Sequence, residues 1–206
     1  MTAFDVTILD AGPSLNFFSI GRADLLLAVV RAGSARIAVP EDVDEEIRRK
    51  AGPKSKFARA GGALDWALRT EQILRLDSTS DRDSDLDRNV SRITGLPFEQ
   101  RVRKGKDLGE MMVVAHALTL QNQGEKVIAL IDDLDGQRLA AKHRVRYMST
   151  IDILRGAARL GLIKNWGEMR QLYLKMEPLD DGLPSVTAPR IADKLKDARI
   201  YRPGAA

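Results

Sequence analysis

The stretch "ALIDDLDGQRLAA" (residues 129–141) sets three aspartates directly after an apolar run. The run KVIALI (126–131) is almost continuously apolar, which is typical of a strand buried on both faces of a parallel sheet. The residues after it have the pattern of a helix, for which Asp135 is the predicted N-cap. Carboxylates this close together repel one another unless a cation or water screens them. The stretch therefore predicts a parallel sheet with a charged site at the end of one strand.

Strand and helix patterns alternate along most of the chain. Crossover helices favour a parallel sheet covered on both faces, so the predicted fold is an α/β/α three-layer sandwich with a central, mostly parallel sheet of four to five strands, plus C-terminal helices. A polar segment at about 77–106 is predicted to be an insertion, largely a loop, in which 85–93 can form a helix. The predicted strands are 4–9, 35–40, 72–77, 126–131 and 145–148, and the predicted helices are 15–30, 40–50, 58–69, 105–124, 135–143, 149–163 and 189–200.

Length and composition indicate one domain with a tail. A chain of 206 residues with 44% hydrophobic content suffices for one core and is too short for two ordinary domains. We expect the domain to span 1–165 and a helical tail to span 166–206. No apolar run is long enough to cross a membrane, and the acidic start lacks the features of a signal peptide, so a cytoplasmic location is expected. The absence of cysteine excludes disulfides and thiolate metal sites.

The net charge of +4 and pI of about 9.4 are modest, but the basic residues cluster. One run is RVRKGK (101–106) and the other is RRKAGPKSKFAR (48–59). Clusters of this kind favour a polyanion as partner, while each run taken alone is also compatible with a solvated charged face.

Acidic residues recur where predicted strands end or helices begin. Ligands bind beyond the carboxyl ends of parallel strands, and Asp10 and Asp132 follow the first and fourth strands. Glu46 lies in the helix after the second strand, and Glu110 lies in the first turn of the helix 105–124. Four such carboxylates cannot all stay ionised without a counter-charge, which Mg²⁺ with its preference for oxygen ligands would supply. The pattern points to metal-assisted hydrolysis of phosphodiesters.

Each acid also has a purely structural interpretation. Asp10 can be a turn residue before Gly12 and Pro13, and Asp107 with Glu110 forms a capping-box pattern. Three further acids fit the first turn of a helix, where they interact favourably with the helix dipole, and they are left out of the site: Asp42, Asp44 and Glu45.

Other chemistries find little support in the sequence. His116 lies six residues after Glu110, about 120° around the helix, so the two are not expected to share a face. His143 is the other histidine, and both are expected to be structural or at the surface. No phosphate-binding loop, dinucleotide-binding glycine motif or nucleophile elbow occurs.

Five stretches in register resemble those of PIN-domain proteins, in particular a VapC-like branch with a Gly-Glu helix start and an Asp-Asp strand end. The resemblance runs from about residue 5 to 165 and extends to the helical tail. It implies a nuclease domain over 1–165 that cleaves single-stranded RNA with Mg²⁺ or Mn²⁺, often as the toxin of a toxin-antitoxin pair. The stretches are LDAGPSLNFFSIGRADLLL, IAVPEDVDEEI, DLGEMMVVAHAL, IDDLDGQRLAAKHRV and STIDILRGAARLGLI.

Carried over by position, the resemblance assigns the catalytic and metal-binding acids to four residues, which we call the acid cluster: Asp10, Glu46, Glu110 and Asp132. It makes Asp133 a further metal ligand or a hydrogen-bonding residue, and Ser14 or Asn16 a supporting polar residue. Two features depart from the branch. The polar insertion is longer than usual, and Ser149 precedes Thr150 where the branch commonly has a Gly-Thr pair.

The resemblance also implies partners. A carboxylate cluster repels RNA, so cations must draw in its backbone, and the predicted RNA-binding residues are Arg101, Arg103, Lys104 and Lys106. A cognate antitoxin and a homodimer are expected, with 22–30 and the tail from 189 as candidate contact surfaces. Two alternatives remain open: a non-catalytic RNA-binding or regulatory PIN-like module, and a structural protein whose acids only cap helices.

Overall fold

The computed structural model describes residues 4–78, 84–96, 100, 108–179 and 183–201. Its centre is a five-stranded sheet with the order β3-β2-β1-β4-β5, in which every neighbouring pair is parallel. Helices flank the sheet, so the predicted α/β three-layer class is confirmed. The strands are β1 Phe4–Leu9, β2 Ser34–Pro40, β3 Leu74–Leu76, β4 Val127–Leu130 and β5 Arg146–Met148.

The strand order reverses next to β1. The chain proceeds from β1 to β2 and β3 on one side, then crosses to β4 on the other side, where Leu9 pairs with Leu130. The Asp10 N–H donates to the Leu130 carbonyl at 3.1 Å and continues the pairing just past the strands. Ligands of open parallel sheets bind in the crevice that such a reversal creates. Asp10 and Asp132 lie beside this crevice, because Asp10 directly follows β1 and Asp132 comes two residues after the end of β4.

The helices begin and end close to the predicted positions in most of the chain. They are α1 Ala11–Ser19, α2 Ala23–Gly33, α3 Glu41–Lys50, α4 Ala58–Arg69, α5 Asp85–Thr94, α6 Leu108–Asn122, α7 Leu134–Lys142, α8 Thr150–Arg159, α9 Trp166–Met176 and α10 Pro189–Lys196, with 3₁₀ turns at Glu177–Leu179 and Ala198–Tyr201.

The prediction of a single helix over 15–30 was wrong. The chain forms α1 and α2, which are separated at Gly21, whose φ of +71° is a left-handed conformation that glycine adopts without strain. The predicted turn after β1 was also wrong, because α1 already begins at Ala11. Pro13 is compatible with that start since proline is tolerated in the first turn of a helix.

Part of the polar insertion forms a helix. The Ser84 side chain caps α5 by accepting from the Asp87 N–H at 3.1 Å. Leu86 and Val90 are buried against Met112 and its neighbours on α6. The possible helix at 85–93 is therefore confirmed, while 79–83, 97–99 and 101–107 lie outside the described residues.

The C-terminal helices share the core of the sheet domain. Tyr173 on α9 is fully buried, and its hydroxyl donates to the Pro184 carbonyl at 2.6 Å. Leu195 on α10 and Ile200 after it are also buried in this core. The two surfaces predicted to contact a partner thus bury many of their apolar residues internally, since Leu25, Leu26 and Leu27 on α2 are buried as well. The division of the chain at residue 165 stays a prediction.

Within the described residues, none of the helices combines the length and the apolar character needed to span a bilayer.

Candidate functional site

Asp10 lies at the bottom of the crevice and is 5% exposed. It occupies the N-cap position of α1, yet its side chain makes no capping hydrogen bond. Burial is the first cause that raises the pKa of this carboxyl well above its ordinary value. The negative charges of Glu110, Glu46 and Asp132 raise it further, against the opposing effect of the Ala11 N–H. All members of the acid cluster therefore lie within electrostatic range of Asp10.

Asp132 is 7% exposed and is fixed by neighbouring elements. The Thr150 N–H donates to its Oδ1 and the Thr150 hydroxyl donates to its Oδ2, both at 2.6 Å. The Asn16 Nδ2 of α1 donates to Oδ2 at 3.2 Å. Thr150 is placed there by β5, the neighbour of β4, and by the capping box that Ser149 and Asp152 form at the start of α8. Asp132 is consequently oriented from both of its flanks.

The two predicted supporting residues act at different points. Asn16 contacts the carboxylate of Asp132, as described above. Ser14 is fully buried, and its hydroxyl donates to the backbone carbonyl of Asp10 at 2.7 Å. Ser14 thus stabilises the first turn of α1 and contacts no carboxylate of the acid cluster through this bond.

Two glycines allow the glutamates to approach the crevice. A Cβ on Gly109 would lie 2.8 Å from Glu46 Oε2 and 3.7 Å from Asp10 Oδ1, so both carboxylates converge on one point beside α6. A Cβ on Gly136 of α7 would lie 3.0 Å from the Cγ of Glu110 and 2.8 Å from Ile131 Cγ2. Side chains at either position would therefore displace members of the acid cluster.

An open cavity of about 310 Å³ adjoins the acid cluster. Two of its residues, Asp42 and Glu45, were predicted to interact only with the helix dipole. They lie three or four residues from Glu46 or Arg49 in the sequence, and this spacing already indicates a shared helix face. Burial raises the pKa of Asp42 as well. The lining residues are Asp42, Glu45, Glu46, Arg49, Leu108, Gly109 and Glu110.

The two remaining aspartates of the opening stretch do not join the acid cluster. Asp133 is exposed, and its Oδ1 accepts from the Asp135 and Gly136 N–H groups at 2.7 and 2.9 Å, so it caps α7. The prediction that Asp135 is the N-cap was wrong, because the helix begins at Leu134. Asp135 instead pairs with Arg138 at 2.7 Å on the surface. A metal-binding role for Asp133 stays a prediction.

Asp107 and the predicted RNA-binding cations lie outside the described residues: Arg101, Arg103, Lys104 and Lys106.

His116 is a buried structural residue. Its Nε2 lies 3.3 Å from the Ser78 hydroxyl, and burial lowers its pKa to about 4. It is therefore neutral at neutral pH, and it lies in the interior and not at the surface.

The donor set of the acid cluster matches Mg²⁺ or Mn²⁺ in kind, because these ions prefer carboxylate oxygens and compensate clustered negative charge. The arrangement of the side chains is looser than a formed metal site. Within the part of the chain that the structure describes, no three acidic or histidine side chains stand close enough to hold one ion. Glu46 pairs with Lys50 at 3.0 Å, and Asp132 is engaged by Thr150. The residues thus fit the ion by chemistry, and Glu46 would exchange Lys50 for it.

Comparison with known proteins adds little at the level of sequence. No family model matches the chain, and no curated protein matches it either. Among solved structures, the chain is similar to VapBC-1 from nontypeable Haemophilus influenzae, with a TM-score of 0.44 and 11% identity over 70% of this chain and 98% of that chain. At this degree of similarity, the function has to be inferred from the site itself.

Proposed function

We propose that the protein is a metal-dependent endoribonuclease that cleaves phosphodiester bonds of single-stranded RNA, acting as the toxin of a toxin-antitoxin pair. The observation that carries this proposal is the buried Asp10 at the strand-order reversal, whose pKa is raised by burial and by Glu110, Glu46 and Asp132. Carboxylates crowded together at a ligand-binding crevice are typical of a site that works with a cation. The choice of RNA rests on the resemblance to PIN domains.

In this proposal the acid cluster holds Mg²⁺ or Mn²⁺, with Asp133 as a further candidate ligand. When bound, such an ion supplies an activated water and neutralises charge on the phosphate. Thr150 and Asn16 keep Asp132 in one orientation through the contacts described above. Supporting hydrogen bonds of this kind typically affect metal sites about 10- to 100-fold. Gly109 and Gly136 keep the approach of the glutamates open.

The polyanionic substrate needs cations near the acid cluster, because the carboxylates repel phosphates. We assign this role to the run that immediately precedes α6 in the chain: Arg101, Arg103, Lys104 and Lys106. Contacts of this type position a strand without reading its bases, so no base preference is proposed.

The first test is cleavage of a mixed single-stranded RNA pool by the purified protein in Mn²⁺, with and without EDTA. We expect cleavage that EDTA, Asp10→Asn and Asp132→Asn each abolish. The matched control is Asp135→Asn, which removes an exposed carboxylate three residues from Asp132 and should cleave like the wild type. Undiminished cleavage by both Asp10→Asn and Asp132→Asn would contradict the proposal.

A second test measures the metal directly. An ion that binds only the folded state must raise the melting temperature by mass action. We expect Mn²⁺ to raise it for the wild type and for Asp135→Asn, and to raise it less for Asp10→Asn. The absence of any shift at saturating Mn²⁺ would favour a structural protein whose acids only cap helices.

Two observations favour the alternative of a non-catalytic RNA-binding or regulatory module. Both oxygens of Asp132 already accept protein hydrogen bonds, and no three of the acidic or histidine residues in the described ranges are arranged to share an ion. This alternative predicts RNA binding without cleavage in Mn²⁺. It also predicts that Asp10→Asn binds RNA more tightly than the wild type, because a repulsive charge is removed.

We also propose a cognate antitoxin and a homodimer as partners, on the basis of the resemblance alone. Induced expression in a bacterial host should arrest growth, and Asp132→Asn should relieve the arrest. Sedimentation of the purified protein should report twice the mass of one chain. A monomer at all concentrations would contradict the homodimer and would leave the nuclease proposal intact.

A further inference from the structure

Helix α3 ends in three consecutive cations, which differ in their contacts. Arg48 pairs with Asp44 and Asp65, each at 2.6 Å, and Lys50 pairs with Glu46 at 3.0 Å. Arg49 is exposed and lines the acidic cavity, and it forms no salt bridge to another residue of the described ranges. Its guanidinium is thus the cation that α3 offers to a ligand in this cavity.

The chain continues from Arg49 through a segment without acids. No aspartate or glutamate occurs between Glu46 and Asp65. Lys54, Lys56 and Arg59 are exposed, and none of them has a salt bridge within the part of the chain that the structure describes. Positive charge in this segment is therefore not neutralised locally.

The start of α4 packs against the end of α3, the helix that contributes Asp42, Glu45, Glu46 and Arg49 to the cavity. A Cβ on Gly61 would lie 3.4 Å from the Cβ of Ala51. The Lys56 ammonium stands 5.1 Å from the centroid of the Phe57 ring, whose residue is buried. The turn that carries Lys54 and Lys56 is therefore anchored beside α3.

We propose that these cations form a phosphate-binding strip for single-stranded RNA, which leads from the cavity rim along the turn between α3 and α4. The basic strip consists of Arg49, Lys54, Lys56 and Arg59. Arginine binds phosphate through two parallel N–H donors, which suits Arg49 for a phosphate next to the scissile bond. The choice of RNA rests on the function proposed above.

An acidic protein segment is the other polyanion that such a strip attracts. RNA is favoured because the strip begins at a cavity lined by Asp42, Glu45 and Glu46. These acids would repel the carboxylates of an acidic peptide, and the peptide has no reaction there. The phosphodiesters of RNA would instead reach the residues that are proposed to hydrolyse them.

The test is the salt dependence of binding of a fluorescent 20-nucleotide oligouridine, measured by anisotropy in EDTA so that no cleavage occurs. The strip variant is Lys54→Gln/Lys56→Gln/Arg59→Gln, and Arg49→Gln is measured separately. The matched control is Lys126→Gln/Lys142→Gln/Arg159→Gln. It removes the same charge from exposed residues that lie just before β4 and at the ends of α7 and α8, outside the turn between α3 and α4. Circular dichroism checks that all variants fold.

Each phosphate contact contributes about 0.7 to the slope of log K against log salt for a single strand. We expect the slope to fall by about 2 in the strip variant and by about 0.7 in Arg49→Gln, and to change little in the control. Equal losses in the strip variant and the control would overturn the inference. So would tighter binding of a polyglutamate peptide than of RNA to the wild type, with the same residue dependence.

Cleavage of the same RNA in Mn²⁺ separates this inference from the proposed function. Wild-type cleavage with no strip-specific change of slope refutes the strip alone. Strip-specific binding without wild-type cleavage refutes the nuclease and supports the strip as the surface of an RNA-binding module.

Discussion

The site has a buried end and an open end, and they hold their carboxylates by different means. At the buried end, Asp132 receives three hydrogen bonds from Thr150 and Asn16. At the open end, Glu46 has a side-chain exposure of 25% and pairs with Lys50, whose side chain is 31% exposed. Donors fixed by backbone and packed side chains preorganise a carboxylate, while an exposed ion pair contributes little and exchanges readily. The comparison indicates that the buried end sets the geometry and the open end admits ligands.

The same difference separates acids that are neighbours in sequence. Asp132 and Asp133 are adjacent, yet only Asp132 is buried, because Asp133 points to the start of α7 and caps it. A carboxylate that caps a helix already has its charge compensated by N–H groups. Sequence proximity at a strand end is therefore a weak guide to membership of the site.

The largest expected effect concerns the charge of the buried end. The pKa of Asp10 in the folded state lies above its ordinary value of 3.8, so ionisation costs stability. The free energy of unfolding should fall as pH rises from 3.8 through the folded pKa. Asp10→Asn should remove this loss and be relatively more stable at pH 7. Urea titrations in EDTA across this range measure it, and an unchanged pH slope would show that the Asp10 charge is compensated.

His116 makes stability depend on pH in the opposite direction, so its contribution must be separated from that of Asp10. Its pKa is about 4 in the folded state against 6.5 in the unfolded chain, so stability falls as pH drops from 6.5 to about 4. The total loss is about 3 kcal/mol. His116→Gln should abolish this acid slope, and the two variants together resolve the two contributions. Retention of the full slope in His116→Gln would assign it to other groups.

The next effect tests how the buried end is held. Thr150→Val removes the hydroxyl that donates to Asp132 and keeps the backbone N–H in place. We expect Mn²⁺-dependent cleavage to fall about 10- to 100-fold, as for other residues that orient metal ligands. Thr150→Ser restores the hydroxyl and should recover most of the rate. Equal activity of Thr150→Val and Thr150→Ser would show that the hydroxyl does not orient Asp132.

A smaller effect distinguishes the two glycines beside the glutamates. In Gly136→Ala the new Cβ meets Ile131 and the stem of Glu110, so we expect a loss of about 1 to 3 kcal/mol in unfolding free energy. In Gly109→Ala the nearest atom is the mobile carboxylate of Glu46, which can turn away at little cost in stability. Chemical denaturation measures both, and Gly109→Ala should lose Mn²⁺ affinity instead. Equal destabilisation by the two substitutions would refute this distinction.

The smallest effect concerns the ion pair of the open end. Lys50→Gln should change the unfolding free energy by no more than about 0.5 kcal/mol, because the pair is partly exposed and spans one helical turn. Since Lys50 competes with a metal for Glu46, the variant should bind Mn²⁺ about two- to threefold more tightly, a change of about 0.5 kcal/mol. Calorimetric titration measures the affinity, with Lys142→Gln as the control for loss of a distant charge. Weaker binding by Lys50→Gln would show that Lys50 supports the ligand instead.

Sequence patterns predicted much of the fold. Strands such as 126–131 stand out because burial on both faces selects a continuous apolar run. Two helix boundaries were predicted wrongly, because backbone conformation and capping set them and the apolar pattern does not. The break at Gly21 lies inside an otherwise apolar helical pattern. The cap of α7 shifts from Asp135 to Asp133 because the helix starts two residues earlier than that cap predicts.

The sequence by itself determined the α/β alternation and the position of Asp10 and Asp132 at strand ends, because local periodicity and apolar runs encode both. Only the tertiary structure decided that β1 pairs with β4, which makes those two strand ends neighbours. It also decided that Asp132 is held by Thr150, which is not close to it in sequence. It further decided that the cavity next to Glu46 includes Asp42, Glu45 and Arg49. The physical reason is that strand order, and the choice of which helix faces pack together, depend on contacts between segments distant in sequence. No local pattern encodes such contacts.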